Sequence, residues 1–185
     1  FGPVLVAFAL LALIFLLPFS LTHYSQKSLQ ESSVSFSTQL VKGEAVKNAA
    51  FADKKVNYVP FFGSSELYRI DSLHPSVLAE KYHRNYQPFM LGKAGSDSLV
   101  HFLNMQEMQV TLKTKKAVYV VSPQWFTKTG SDAGFGLFYS PLQLVDWLLN
   151  IGTNRPTATD QFVASQVLER SVVKNNAYYN RLLKQ

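Results

Sequence analysis

The sequence contains no cysteine and only four histidines among its 185 residues. The absence of cysteine excludes disulfides, zinc–thiolate centres and thiol nucleophiles, and it is compatible with an extracytoplasmic protein. We expect neither a cofactor nor a bound metal. Charged side chains are missing from the first 22 residues. All 18 Lys and Arg and all 12 Asp and Glu therefore lie in the remainder, which carries the whole net charge of +6.

The basic residues are scattered along this remainder. They form no cluster of five and no repeat of aromatic and basic residues, so nucleic acid is not expected as a partner. Next to a membrane, a basic balance favours contact with anionic lipid headgroups or with an anionic polymer. A simple contribution to solubility is the alternative.

The uncharged segment, residues 1–22, is predicted to be a transmembrane anchor. A helix needs roughly 20 apolar residues to cross the hydrocarbon core of a bilayer. The alternative is a cleaved signal peptide, but its apolar region is normally about 7–15 residues long and ends in a small-x-small site, which we do not find. We expect a single-pass protein of the cell membrane whose following domain is extracytoplasmic. The polar residues 23–55 are predicted to be a partly helical stalk.

Residues 56–185 alternate between strand-like and helix-like patterns. The predicted strands are VNYVPFF (56–62), PFMLG (88–92) and AVYVV (117–121). The first predicted helical segment is 66–82, interrupted around His74-Pro75, and the second is 96–108 with Ser96 as N-cap. The third is 140–150, with Ser140 as N-cap, Gln143 closing a capping box and Gly152 as the stop, and a long helix follows from about 157. This alternation predicts an α/β domain with a parallel sheet and right-handed crossovers.

The place of Pro60 in the first predicted strand remains open. Pro60 conflicts with a fully paired central strand because proline has no N–H to donate. Residues 123–140, with three glycines, are predicted to be a loop. The apolar pairs of the last helix recur every five residues, which indicates cover on more than one side. We therefore expect the domain to continue beyond residue 185.

Ligands of parallel sheets bind at the carboxyl ends of the strands. The loops there begin at Gly63, Gly92 and Ser122, so all three are expected on one edge of the sheet. The first, within VPFFGSSELYRI (59–70), has the pattern of a strand followed directly by a helix, with an exposed serine nucleophile at the junction. Backbone N–H groups at the start of such a helix help to stabilise a developing oxyanion. The alternatives are a serine that only caps the helix, or a helix N-terminus that binds phosphate.

The other two loops could complete such a site. The second, residues 91–96, places small residues before a helix and could supply an oxyanion N–H or only a tight turn. In the third, residues 122–126, the amide of Gln124 could donate to an oxyanion or to the loop backbone. Trp125 and Phe126 are more often core residues than binding surface.

The strings FFGSSEL, LGKAGSDSL and VVSPQWFTKTG, in this order behind an apolar N-terminal segment, resemble the DltD family. That family acts in the D-alanylation of lipoteichoic acid in the Gram-positive cell wall. The resemblance covers the anchor and everything to at least residue 150. It implies an SGNH/GDSL-hydrolase-like fold of three layers, α/β/α, of which residues 56–185 would be the N-terminal part.

The resemblance also implies roles for particular residues. The nucleophile is the second serine of GSSEL, Ser65, whose neighbours in the motif are Gly63, Ser64 and Glu66. The oxyanion donor of the second block falls on Gly95, although Lys93-Ala94 departs from the family's more glycine-rich pattern. The third block of SGNH enzymes normally has an asparagine; here Gln124, beside Trp125, is assigned to that role by our own inference.

SGNH enzymes also use an Asp-x-x-His pair near the C-terminus, whose histidine is the base. Asp71 and His74 match this spacing, but His74 follows Ser65 by nine residues. If that stretch is helical, the two are roughly 13 Å apart along the axis, whereas a base must reach the nucleophile by a hydrogen bond. We expect Asp71 and His74 to shape the end of a helix.

The remaining histidines offer no better base. His83 and His101 have no carboxylate at a telling spacing and are expected to be ordinary surface or core residues, while His23 adjoins the anchor. We therefore expect the true Asp-x-x-His beyond residue 185.

Two functions remain. The first is a membrane-anchored serine acyl-ester enzyme that transfers D-alanine to lipoteichoic acid. Its partners, as the resemblance implies, would be membrane lipid, the membrane-bound O-acyltransferase of the pathway and, indirectly, the D-alanyl carrier protein. The second is a non-catalytic adaptor that holds carrier protein, acyltransferase and teichoic acid together.

Overall fold

A computed structural model describes residues 2–16, 24–35, 43–113, 115–153 and 155–184. The strands are β1 Tyr58–Gly63, β2 Gln87–Gly92 and β3 Val118–Tyr119. The helices are α1 Gly2–Leu16, α2 Gln26–Val34, α3 Glu44–Ala52, α4 Pro75–Lys81, α5 Ser98–Glu107, α6 Gln109–Leu112, α7 Lys128–Phe138, α8 Pro141–Thr153, α9 Ala158–Leu168, α10 Ser171–Lys174 and α11 Ala177–Leu183. Two 3-10 turns, Ser65–Leu67 and Pro123–Phe126, follow β1 and β3.

The three strands form a small parallel sheet in the order β2-β1-β3. β1 pairs with β2 along its whole length, from Tyr58 opposite Gln87 to Gly63 opposite Gly92. β3 pairs with β1 only at Val118 and Tyr119. The prediction of a mixed α/β domain with a parallel sheet is confirmed, and the finer three-layer SGNH-like architecture stays a prediction.

Pro60 lies in the central strand without leaving a gap in the ladder. The Val120 N–H donates to the Phe62 carbonyl at 2.8 Å, so the Phe62 peptide faces β3. Residues two apart in a strand face the same side, and Pro60 therefore also faces β3. The nitrogen of Pro60, which carries no hydrogen, therefore faces the residues that precede Val118, where β3 has not yet begun.

The two faces of the sheet are covered unequally. Phe62, Phe89 and Leu91 face a buried cluster that includes Leu29 of α2 and Phe51 of α3. The opposite face of the sheet contributes to a much smaller buried cluster, which contains Phe61, Leu67 and Met90. A third cluster holds α5 against α7, α8, α9 and α10.

The predicted stalk contains two helices, α2 and α3, which contact the sheet. Residues 23 and 36–42 of that segment lie outside the described part. The division of the chain at residues 22 and 55 stays a prediction.

The described part of the predicted anchor is helix α1. It has 15 residues, against the roughly 20 that a spanning helix needs. In the portion of the chain that the structure describes, no helix combines the length and the apolar character needed to cross a membrane. The prediction of a transmembrane helix over residues 1–22 is not supported; residues 1 and 17–22 lie outside that portion.

A buried ion pair joins α3 to α5 and α8. The fully buried ammonium of Lys47 donates to Asn104 Oδ1 at 2.7 Å and to the Glu107 carboxylate. Burial lowers the pKa of Lys47, and the charge of Glu107 opposes this shift. The Gln143 amide also donates to Glu107, at 2.8 Å, so the predicted capping box of α8 is only half formed: the Gln143 N–H donates to Ser140 Oγ at 3.5 Å.

Several predicted boundaries are wrong, each for a local reason. The segment predicted to be helical over 66–82 is divided where an interruption was predicted, since α4 begins at Pro75, but the part before it is only a 3-10 turn and not a helix. Asp97, not Ser96, caps α5, because its carboxylate accepts from the Val100 N–H at 3.0 Å. α8 continues through Gly152 to Thr153.

The long C-terminal helix is also divided. α9 starts with a capping box at Thr157 and Asp160, and α11 starts where the Asn176 side chain accepts from two backbone N–H groups. The five-residue spacing of the apolar pairs therefore reflects separate short helices, of which Val163, Val167 and Val173 are buried.

The segment predicted to be a loop over 123–140 is largely α7. Gly134 is buried because α7 passes close to the second loop: a Cβ added there would lie 2.5 Å from the Gly95 carbonyl oxygen. Glycine disfavours helices in isolation, but here close packing requires one. Gly136, two residues on, is exposed and has no atom within 4 Å of an added Cβ.

This pair of glycines provides a test. Gly134→Ala should destabilise the fold by about 1–3 kcal/mol, because the backbone of α7 or of the second loop must move. Gly136→Ala should stabilise it by up to about 1 kcal/mol, since alanine is the better helix former. Chemical denaturation of both variants measures the difference, and equal effects would refute the close approach.

Candidate functional site

The first loop folds back over the end of β1. A Cβ added to Gly63 would lie 2.5 Å from Leu67 Cδ1 and 2.8 Å from Glu66 Oε1, so a larger residue would displace both side chains. Leu67 is buried beneath the turn, and the Glu66 carboxylate accepts a hydrogen bond from the Ser64 N–H. The sequence Gly-Ser-Ser-Glu-Leu thus specifies one compact 3-10 turn.

This turn separates the two serines. Ser64 is 3% exposed, and its Oγ accepts from the Gly95 N–H at 2.9 Å and lies 3.4 Å from the Lys93 carbonyl oxygen. Ser65 is exposed, and among the residues with described side chains none forms a hydrogen bond with its hydroxyl. Ser64 therefore joins the first loop to the second, while Ser65 presents a hydroxyl at the carboxyl edge of the sheet.

The second loop approaches the first through glycine. Gly92 has φ +144°, and a Cβ added to it would overlap the carbonyl oxygen of Gly63, its partner in the sheet. Gly95 has φ +94° in a turn closed by the Ser96 N–H, which donates to the Lys93 carbonyl at 2.9 Å. Positive φ at the third position of such a turn favours glycine.

His101 lies beneath both loops. Its ring is fully buried, packs against Phe62, Tyr119 and Trp125, and donates to the Gly63 carbonyl. Its Nε2 is also 3.3 Å from Ser96 Oγ.

Ser96 Oγ in turn donates to the Lys93 carbonyl at 2.7 Å. Burial lowers the pKa of His101 to about 4, although the Gly63 carbonyl opposes this, so the ring is neutral near pH 7. The expectation of an ordinary core histidine is confirmed, and the ring supports the loops from below.

The third loop forms the 3-10 turn Pro123–Phe126. Trp125 is 6% exposed and packs on Tyr119, so its prediction as a core residue is confirmed, whereas Phe126 is 74% exposed and its prediction is wrong. The backbone of Gln124 belongs to this turn, but its side chain lies outside the described part of the structure, and its role stays a prediction.

Beside this turn is a cavity of about 390 Å³ whose lining includes Phe126, Phe162 and Arg170. Another cavity, of about 670 Å³, lies between α2, α4 and the start of β2.

Asp71 and His74 form a structural turn. His74 Nδ1 accepts from the Ser76 N–H at 3.3 Å, and its Nε2 lies 3.3 Å from the Leu67 carbonyl. The Asp71 carboxylate accepts from the Leu73 N–H at 2.8 Å. The pair is structural, as expected, but it shapes the start of a helix, α4, and not the predicted end of one. Both ring nitrogens of His74 are engaged with backbone.

Two roles proposed for the loops meet obstacles in this geometry. The phosphate-binding alternative required a helix after Ser65, but only a three-residue 3-10 turn follows. The Gly95 N–H, assigned to an oxyanion, points to the Ser64 hydroxyl. Its role as an oxyanion donor stays a prediction and requires that the hydroxyl yield this N–H to substrate.

Sequence reasoning gave no role at this site to Ser96, His101 or Tyr119. Helix α5 contained an indication: Asp97, Val100, His101 and Asn104 recur at helical spacing, and all are buried. Buried polar side chains must find partners. The His101 ring donates to the Gly63 carbonyl, Asn104 accepts from the Lys47 ammonium, and Asp97 accepts from the Val100 N–H.

These features define a parallel α/β domain with an exposed serine at the carboxyl end of its central strand. Residues 33–185 match the model of the family described as DltD protein. The chain therefore belongs to the DltD family.

Curated relatives are similar over nearly the whole chain. Protein DltD of Lacticaseibacillus rhamnosus is 45% identical over 184 residues, 99% of this chain and 42% of that protein. Protein DltD of Bacillus subtilis (strain 168) is 35% identical over 191 residues, 100% of this chain and 47% of that protein. Protein DltD of Staphylococcus aureus (strain NCTC 8325 / PS 47) is 29% identical over 181 residues, 96% and 45%. The chain spans less than half the length of each.

The buried imidazole makes a prediction about pH. The pKa of His101 is about 4 in the folded chain, against an ordinary value of 6.5. Between these pH values the unfolded chain binds more protons, so the free energy of unfolding should rise with pH, by about 3 kcal/mol in total. Denaturant unfolding from pH 4 to 7 measures this rise.

Substitution isolates the responsible ring. His101→Gln should lower stability and also flatten the rise between pH 4 and 6.5, whereas His83→Asn, at an exposed position with φ +47°, should keep it. If the His101→Gln protein retained the full rise, the assignment to His101 would be wrong.

Proposed function

We propose that the chain contributes the nucleophile of a membrane-associated, extracytoplasmic serine acyl-ester enzyme that transfers D-alanine to lipoteichoic acid. Membership of the DltD family supports the pathway. The observation that carries the proposal is the division between two adjacent serines: Ser64 is buried and joins the loops, while Ser65 is exposed at the edge where parallel sheets bind ligands.

The proposed reaction has two steps. Ser65 Oγ attacks the carbonyl carbon of a D-alanyl ester or thioester, its proton passes to a base, and the bond to the leaving oxygen or sulfur breaks as that atom takes a proton. A hydroxyl of a glycerol-phosphate unit then attacks the D-alanyl-seryl ester and releases Ser65. Dividing one difficult transfer into two is the usual advantage of a serine nucleophile.

The base is proposed to come from an Asp-x-x-His pair outside the described residues. His74 has both ring nitrogens engaged with backbone, and His101 is buried beneath the loops. His83 is exposed beside the cavity between α2 and α4, and His23 lies outside the described part. The proposed partners are the membrane-bound O-acyltransferase, the D-alanyl carrier protein indirectly, and lipoteichoic acid, whose polyanionic chain suits a net charge of +6.

The second candidate is an adaptor that brings carrier protein, acyltransferase and teichoic acid together without chemistry. One observation favours it: within the described ranges, no hydrogen bond joins Ser65 to a histidine. The Gly95 N–H is also occupied by Ser64. An adaptor would need neither a base nor an oxyanion donor.

Labelling of the complete protein with a serine-directed fluorophosphonate tests the nucleophile. The wild type should label, and Ser65→Ala should fall below detection because the attacking oxygen is gone. Ser64→Ala is the matched control at the adjacent, buried serine and should still label. Equal labelling of the wild type and Ser65→Ala would remove Ser65 as the nucleophile.

D-alanylation in cells separates the two functions. The enzyme proposal predicts that Ser65→Ala abolishes the D-alanine content of lipoteichoic acid. Full D-alanylation by that variant would instead establish the adaptor.

A further inference from the structure

The two edges of the sheet differ in charge. The segments that lead into the three strands carry six basic side chains and one carboxylate, all partly or fully exposed: Lys54, Lys55, Arg84, Lys113, Lys115, Lys116 and Asp53. We call this set the basic edge. The loops that follow the strands contain two basic residues, Lys93 and Arg69, and three acidic ones, Glu66, Asp71 and the buried Asp97. The edge that presents Ser65 is therefore slightly acidic.

Contacts hold the segments of the basic edge together. The Asn57 amide donates to the Asn85 carbonyl at 3.3 Å, which joins the approaches to β1 and β2. The Thr111 hydroxyl donates to Asn48 Oδ1 at 3.0 Å, which joins α6 to α3. Each of these helices runs directly into one of the lysine-bearing segments, so the charges gather on one surface.

The basic edge is also where the N-terminal part of the chain enters the fold. The side-chain amide of Gln26, the first residue of α2, donates to the Asp53 carboxylate. α2 follows α1 in the chain, and α1 exposes apolar side chains such as Leu5 and Phe8, 68% and 70% exposed. The helix that contacts the basic edge, α2, is thus the one that follows the exposed apolar helix α1 in the sequence.

Helix capping does not account for all of this charge. Lysines near a helix C-terminus interact favourably with the helix dipole, which suits Lys54 after α3 and Lys113 after α6. That interaction falls off within one turn, and it gives no reason for Lys116, four residues beyond α6. Basic residues near an anionic lipid surface each contribute about 1 kcal/mol of attraction.

We propose that the basic edge lies against the headgroups of an anionic lipid surface, so that the edge bearing Ser65 faces away from it. The length of a six-residue strand places the two edges about 20 Å apart. Glu66 on the outer edge disfavours the reverse orientation. The lipid contact stands without the proposed chemistry; only its consequence, a nucleophile directed toward a polymer that extends from the membrane, rests on the proposed function.

These residues contain no cysteine, so a single introduced thiol can carry one label, once any cysteine elsewhere in the complete protein is replaced by serine. Ala117→Cys marks the basic edge and Ala94→Cys marks the outer edge, and both positions are exposed. The complete protein, each variant carrying a fluorescent donor, is reconstituted in phosphatidylglycerol-containing vesicles with an acceptor on the headgroups. Energy transfer should place the donor at residue 117 about 20 Å nearer the headgroups. Equal distances, or a nearer donor at residue 94, would overturn the proposal.

Removal of positive charges distinguishes attraction to lipid headgroups from attachment through the apolar N-terminal segment alone. The triple variant Lys113→Gln/Lys115→Gln/Lys116→Gln should reduce the ratio of molecules with the basic edge on the headgroups to molecules in other orientations. The expected reduction is about a hundredfold, about fivefold for each charge removed. The matched triple Lys174→Gln/Arg181→Gln/Lys184→Gln, on α10, on α11 and just after α11, should leave it unchanged. Persistence of the full difference in the first triple variant, or in phosphatidylcholine vesicles, would refute lipid attraction.

Two further readings complete the test. If soluble glycerol-phosphate polymer displaces the donor at residue 117 from the headgroups, the basic edge is a polymer site and the proposal fails. Fluorophosphonate labelling of Ser65 is measured on the first triple variant in parallel. The chemistry and the orientation can then fail separately, because one assay reports the serine and the other reports distance to lipid.

Discussion

The structure around Ser65 depends on the close approach of two glycines at the carboxyl ends of β1 and β2. No side chain fits on Gly92, because the Gly63 carbonyl occupies that space. The contact lets the buried ring of His101 reach the Gly63 carbonyl from below and lets Ser64 bridge to the second loop from above. With its neighbour held in this way, Ser65 is the serine left facing solvent. The two loops behave as one unit, and the proposed nucleophile is a consequence of their packing.

Sequence reasoning was most reliable where local chemistry decides the structure. The apolar runs at β1, β2 and β3 predicted strands because aromatic and β-branched residues suit a pleated, buried surface. Glycine at the end of β1 and β2 predicted the tight loops, and the common edge followed from the rule for parallel strands. The end of β1 and the two serines after it were recognised from the five residues Gly-Ser-Ser-Glu-Leu, which contact one another closely.

It failed where contacts distant in the chain decide. Helix α7 was predicted to be a loop because glycine lowers helix propensity, yet Gly134 is there to admit the Gly95 carbonyl. The role of His101 needed the positions of Gly63 and Ser96, which no local pattern supplies. The predicted helix after Ser65 gave way to a short turn because Leu67 is drawn into the small cluster under β1. In each case tertiary packing overrode local preference.

The central claim is that Ser65, and not Ser64, carries the acyl group. The most direct measurement is peptide mapping by mass spectrometry after the complete protein is incubated with a D-alanyl donor and rapidly acidified. The account predicts one alanyl group on the peptide containing residues 64 and 65, located by fragmentation at Ser65 and absent from Ser65→Ala. An alanyl group on Ser64, or continued transfer to lipoteichoic acid by Ser65→Ala, would contradict it.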